Sequence, residues 1–193
     1  MRLALLWLAA STLLPSLSHA QAPVFEVERA SSKITFYVKA SVNLTGTFHK
    51  WTATLKFKTP DVTTGVLDVT IQAASVDTGS GMKNSKLKSK AFFNVKQDPH
   101  ITFHSTKIVQ TGPNTFDVTG TFTIRGVSKP ETLILTVERE GTGSGAIKGT
   151  MAFDRKDYGM NSGIPFIKIA DRVEVNIDLN AKRVSGPPVI FKQ

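Results

Sequence analysis

The 193-residue chain carries a net charge of +9, with 24 Lys and Arg against 15 Asp and Glu, and it contains no cysteine. The missing thiols exclude disulfides, thiolate metal sites and cysteine nucleophiles. The basic balance favours anionic partners such as lipid headgroups, envelope polymers or nucleic acid, although lysines that only solvate strand faces give the same balance.

The first residues read MRLALLWLAASTLLPSLSHAQAP. An early cation at Arg2, an apolar run from Leu3 to Leu14 and the step Ser18-His19-Ala20 form the pattern of a secretory signal peptide cleaved near Ala20. That run is shorter than the ~20 apolar residues a membrane-spanning helix needs. The expected plan is a signal peptide over 1–20, one β domain over 21–182 and a C-terminal tail over 183–193. Export without disulfides suits the periplasm.

Beyond the signal, helical periodicity is scarce and period-two alternation dominates. In KITFYVKA, Ile34, Phe36 and Val38 share one face; in WTATLKFK, Trp51, Ala53, Leu55 and Phe57 do; in LDVTIQA, Leu67, Val69, Ile71 and Ala73 do. The same pattern runs through Ile101 and Phe103, then Phe116, Val118, Phe122 and Ile124, then Leu133, Leu135 and Val137. It continues in Ile147, Met151 and Phe153, and in Val173, Val175, Ile177 and Leu179. Turns rich in Gly, Pro, Asn and Asp separate the runs: TPDVTTG, TGPNT, RGVSKP and EGTGSG. Roughly eight half-apolar strands in one antiparallel domain either pack as two sheets or close into a barrel, and closure removes the exposed edges. Gly120 and Gly149 fall on apolar faces, where they either leave room for a guest or let the strand bend.

Between the third and fourth runs, Leu87, Ala91 and Phe92 recur at about four residues, which predicts a short amphipathic helix carrying Lys83, Lys86, Lys88 and Lys90 on its other surface. Such a segment either lies across a barrel mouth with Phe92 or Phe93 pointing in, or is a solvated helix whose rings plug the core.

Catalytic signatures are thin. His49, His100 and His104 lack zincin spacing, and in an extended segment His100 and His104 stand over ~13 Å apart, too far to share a metal. No G-x-S-x-G elbow or phosphate-binding glycine loop is present. Asp154, Arg155 and Asp157 in FDRKDYGM suit the bracing of a turn better than acid/base chemistry. FHKWTATLKFK interleaves cations and rings, but Trp51, Leu55 and Phe57 share the interior face, which argues against a nucleic-acid platform.

Four motifs in series, FEVERASSKITFYV, SKLKSKAFFNVKQDPHITFHST, VTGTFTIRGVSKPETL and FDRKDYGMNSG followed by ADRVEVNIDL, resemble the YceI-like family of exported bacterial proteins. The resemblance spans Phe25 to Leu179. It implies an all-β fold, an extended eight-stranded antiparallel lipocalin-like barrel with a short helix near one end. It also implies non-enzymatic binding, transport or storage of a polyisoprenoid, such as an isoprenoid quinone or its precursor, with no covalent cofactor and no metal. The expected lining is Phe36, Val38, Leu55, Phe57, Val69, Ile71, Leu87, Phe92, Phe93, Phe103, Phe122, Ile124, Leu135, Met151, Phe153 and Val175. Lys83, Lys86, Lys88 and Lys90 are the expected contacts to an anionic membrane surface. Where the family commonly has Arg-Asp-x-His-Leu, this chain has Lys83-Asn84-Ser85-Lys86-Leu87, and Ser31-Ser32 stands where His-Ser is usual. Headgroup recognition is therefore not carried over. Presentation of a quinone to a membrane redox partner and a filled structural barrel of the envelope or stress response remain as alternatives, and a homodimer stays open.

Overall fold

The computed structural model describes residues 22–138, 143–163 and 168–191. The expected signal segment over 1–20 and much of the EGTGSG turn lie outside the described residues. The N-terminal arm consists of β1 (Val24–Val27) and β2 (Lys33–Ala40), separated by a 3-10 turn at Arg29–Ser31. A returning arm follows as β3 (Leu44–Phe48) and β4 (Trp51–Lys56). Then come β5 (Val66–Gln72), the two-residue β6 (Val76–Asp77) and helix α1 (Gly81–Lys88). The chain continues through β7 (His100–Gln110), β8 (Thr115–Ile124), β9 (Val127–Glu138), β10 (Ser144–Asp154) and β11 (Ile169–Ser185).

Because β1 pairs with both β4 and β11, the circuit β1–β4–β5–β7–β8–β9–β10–β11 closes as an eight-stranded antiparallel barrel. The long β11 makes the closure possible: Ile177 and its neighbours pair with β2 at one end, and Ala181 to Ser185 pair with β1 at the other. β2, β3 and β6 continue the wall from β11 at the first end, called upper below. Strand pairing between β9 and β10 stops at Ile134 opposite Thr150. Past that point the fully buried Tyr158 spans from β10 to β9, edge-on to Phe122 and Phe153 at 5.4 and 5.2 Å, with its hydroxyl donating to Glu131 Oε1 at 2.8 Å. Burial, then the Glu131 carboxylate, push the Tyr158 hydroxyl well above its ordinary pKa.

Glycines at inward positions hold no vacancy. A Cβ on Gly120 would lie 2.5 Å from the His104 carbonyl oxygen and 2.6 Å from Phe103 Cζ, and one on Gly149 would lie 2.7 Å from Leu135 Cδ2. Gly46 is covered in the same way by the ring of Phe36. Of the two readings of Gly120 and Gly149, room for a guest is removed, because the side chain of a neighbouring strand takes that room. Gly120 also faces Ser105, where a bulge in β7 shifts the register, so the bend and the close approach coincide. The bulge places Ser105 inside, 2% exposed, with its Oγ accepting the Leu67 amide at 2.8 Å.

The helix differs from its expected position. Ser80 Oγ caps the Lys83 amide and α1 ends at Ser89, so Ala91, Phe92 and Phe93 belong to the turns that follow. Asn94, at φ 53°, reverses the chain there, and Phe93 N–H donates to Leu87 O at 2.9 Å, which turns both rings inward. At the start of α1, Asp77 Oδ1 accepts from Asn84 Nδ2 at 3.0 Å and from the Gly79 amide at 2.9 Å, while His49 Nε2 stands 3.4 Å from Oδ2. Asn84 first, then the Gly79 amide and His49, hold the Asp77 carboxyl down at about 2.

Two outcomes follow from this packing. Gly120→Ala should lower stability by ~1–3 kcal/mol through overpacking against Phe103 and backbone, read as an earlier urea midpoint with an unchanged slope. Since the folded-state pKa of Asp77 is depressed, its contribution is complete above the ordinary value of 3.8 and is lost as the pH falls toward about 2. An NMR titration should show the Asp77 carboxyl protonating near that lower value, and Asn84→Ala should raise it.

Candidate functional site

The barrel interior is divided along its axis into two apolar chambers by a packed waist. The lower chamber, about 130 Å³, is walled by all eight barrel strands, β1, β4, β5, β7, β8, β9, β10 and β11, through residues such as Leu55, Leu67, Ile108, Val118, Leu133 and Leu179. The upper chamber, about 450 Å³, is walled by β2, β3, β5, β7, β8, β10 and β11 and covered by α1 with the turn after it. On β5, β7, β8 and β10 the inward residues skipped between the chambers mark the waist, whereas β11 runs directly from Val175 in the upper chamber to Ile177 in the lower. Val69 lies between Leu67 and Ile71, Gly120 between Val118 and Phe122, and Phe103 between Ile101 and Ile108. Met151 lies between Ile147 and Phe153. Val69 pairs with Phe103, and the Phe103 ring covers Gly120, which closes the cross-section.

Of the expected lining, Phe36, Val38, Ile71, Leu87, Phe92, Phe93, Phe122, Ile124, Phe153 and Val175 line the upper chamber. Leu55, Phe57 and Leu135 line the lower one. Val69, Phe103 and Met151 are buried at the waist and line neither. Sequence reasoning missed Leu44 and Phe48 of β3, together with Ile169 and the isolated apolar residues Val42, Met82 and Met160, which alternation does not flag. It also missed Val189 and Phe191 of the tail, which close the lower chamber.

Every side chain lining the upper chamber is apolar except Lys83, Lys86 and Arg155. Arg155, 6% exposed, is committed to structure: it donates to the Ala170 carbonyl at 3.1 Å, the Ser162 carbonyl at 3.1 Å, the Met160 carbonyl, and Asp171 Oδ1 at 2.9 Å. Lys156 and then Arg155 draw the Asp171 carboxyl below its ordinary pKa. Asp154 accepts the Lys156 amide at 2.8 Å and Asp157 pairs with Lys129 at 3.5 Å, so these carboxylates brace the turn as expected. Lys83 is exposed at the mouth, and Lys86 lies with Nζ 6.0 Å from the Phe92 ring centroid. Lys88 is half-buried and Lys90 exposed, and neither lines the chamber. Arg125, at φ 54°, donates to the Lys90 carbonyl at 3.2 Å and to the Gly159 carbonyl, tying this cover to the turn that Arg155 braces.

The positions where this chain departs from the family pattern also have places. Asn84 braces α1, and Ser32 Oγ accepts the Asn180 amide at 2.9 Å, so both serve the scaffold. His104 Nδ1 meets Asp68 Oδ1 at 2.5 Å and His49 meets Asp77, on separate parts of the wall. Among the described residues no group of three or more His, Asp or Glu is placed to hold a metal ion. Trp51 is only 5% exposed, which removes the ring from any outer stacking surface. No helix among the described residues is long and apolar enough to cross a membrane.

Comparison with known proteins agrees with this architecture. A UPF0312 protein of Pseudomonas savastanoi pv. phaseolicola is 30% identical over 131 residues, covering 65% of this chain and 68% of the relative. The crystal structure of Burkholderia cenocepacia BcnA superposes with a TM-score of 0.73 at 30% identity, over 80% of this chain and 99% of BcnA. A polyisoprenoid binding domain from Saccharophagus degradans, implicated in plant cell wall breakdown, shares the fold with a TM-score of 0.65 at 17% identity, over 83% of this chain and 99% of that domain. The YceI-like domain model matches residues 25–181, and the chain belongs to that family.

Proposed function

We propose that this protein is a non-enzymatic periplasmic binder and carrier of a long isoprenoid, such as a polyprenyl quinone or its precursor, held along the barrel axis. The observation that carries the reading is the upper chamber, an apolar volume of about 450 Å³ whose mouth lies between the β2–β3 turn and α1. Such a volume left unfilled forgoes the packing that its apolar lining could make. A hydrocarbon guest supplies that packing. The polyisoprenoid-binding relative and the secretion signal read from the sequence support the ligand class and the compartment.

Transfer from water favours the guest by roughly 25 cal/mol per Å² of apolar surface, but the same chain in a bilayer is already out of water. Exchange with membrane is therefore nearly balanced, and selectivity falls to chamber shape and the few polar groups at the mouth. The mouth is suited to such exchange. Met82 and Val42, 85% and 67% exposed, stand at its rim beside Lys83 and Lys86, so apolar tips flanked by cations face the bilayer. Each cation near an anionic surface strengthens partitioning by roughly fivefold.

Native mass spectrometry of the protein purified from its own host without detergent should find a stoichiometric lipid that solvent extraction identifies as an isoprenoid. A ligand-free mass, unchanged after incubation with polyprenyl quinones, sinks the carrier reading and leaves a filled structural barrel. In vesicle sedimentation, the quadruple variant K83Q/K86Q/K88Q/K90Q should lose roughly several hundredfold in binding to anionic vesicles at low salt while keeping its lipid. Equal binding by variant and native protein would remove the lysines from docking.

A further inference from the structure

The lower chamber is closed by a segment outside the family-matched span of residues 25–181. β11 ends at Ser185, and Gly186, at φ 79°, turns the chain so tightly against the Ala22 backbone that a Cβ there would overlap it. Arg183 Nη1 donates to the Gly186 carbonyl at 2.6 Å and fixes the turn. Pro187 and Pro188 follow, which stiffen an extended chain. Ile190 then adds to the 60–62 loop: its amide donates to the Pro60 carbonyl at 2.8 Å and its carbonyl accepts the Val62 amide at 3.2 Å. The pairing forces alternation. Ile190 faces out, 63% exposed, while Val189 and Phe191 face in and line the chamber, the Phe191 ring 5.7 Å from that of Phe116.

A terminal segment held by a glycine turn, two prolines and two backbone hydrogen bonds is a built floor. From it we infer that residues 186–191 act as a ruler: they end the lumen, and Phe191 with Val189 sets the longest hydrocarbon chain the barrel accepts. The inference rests on the isoprenoid reading above and deepens it. A ligand that enters at the upper mouth and passes the waist, displacing the Phe103 ring, meets the Phe191 ring with its far end. One isoprene unit too many then has to fold back or leave its head short of the mouth. The waist acts as a soft constriction of side chains, whereas the floor is anchored through its backbone, so length discrimination belongs to the floor.

The test is the affinity of the full chain for a ladder of all-trans polyprenols differing by one isoprene unit. Native protein should show affinity rising with length and then falling by about tenfold or more at the first chain that exceeds the lumen. Phe191→Ala should move that break to a longer chain by one unit, and Phe191→Trp should move it to a shorter one. Ile190→Ala, which alters the outward side chain only, should leave it in place. Opposite shifts from the two Phe191 variants cannot arise from general destabilisation. A break at the same length in all four proteins, or a loss that is equal at every length in the Phe191 variants, overturns the ruler while leaving the carrier reading intact. Native protein that binds no polyprenol of any length overturns the carrier reading itself, and the ruler with it.

Discussion

The Phe103 ring over Gly120 is the contact on which the interior depends. A closed barrel of eight strands has an interior that side chains can fill or that can hold a small ligand, and residue volumes decide which. Here Phe103 of β7 sits at mid-height, and the glycine opposite the bulge leaves room for its ring against β8. Without that glycine the ring has no seat, because the next strand's Cβ would occupy it. The result is a barrel packed at its centre and open on either side, which provides cross-strand cohesion at the waist and leaves two apolar spaces in line.

The polar groups around the upper chamber serve mainly to hold its wall. Arg155 is enclosed by carbonyls and Asp171, Glu131 accepts from Tyr158, and Asn84 links Asp77 and Thr78 at the head of α1. Each of these groups has a partner inside the protein, so none is aimed at a guest. Recognition by hydrogen bonding is consequently weak here, and the unengaged polar side chains at the mouth are lysines. In the proposed carrier, discrimination among lipids then rests on volume and length, which places selection in the shape of the walls.

The alternation of apolar residues makes most of this fold legible in the sequence. KITFYVKA coincides with β2, and the inward faces of β5, β7, β8, β10 and β11 are those the periodicity marks. β3 escapes because its inward centre is Gly46, whose place is filled by Phe36 from the neighbouring strand; a pattern read along one chain segment does not register a side chain supplied by another. The helix is displaced because a four-residue apolar spacing carries no information about caps: Ser80 and Ser89 fix its ends, and Asn94 reverses the chain behind it. The lining is legible as a set of inward positions, but period two does not say whether inward side chains meet one another or a guest. Val69, Phe103 and Met151 have the same alternation as their neighbours, yet they are packed into the waist and face neither chamber.

The two ends of the lumen are built from different interactions, and that difference fixes the direction of traffic in the proposed mechanism. At the lower end the floor is joined to the barrel through two backbone hydrogen bonds and stiffened by two prolines, so opening it means breaking both bonds and moving a stiff chain. At the upper end the cover is an eight-residue helix held by Asp77, Asn84 and the reach of Arg125, with Leu87, Phe92 and Phe93 resting on the chamber. A single short helix has little stability of its own and depends on those side-chain contacts. When an apolar guest replaces the contacts that Phe92 and Phe93 make with the chamber walls, the helix can shift without exposing new hydrocarbon to water. An end that moves at little cost, beside cations and exposed apolar tips, is the end through which a lipid enters and leaves; the other is the end against which it stops.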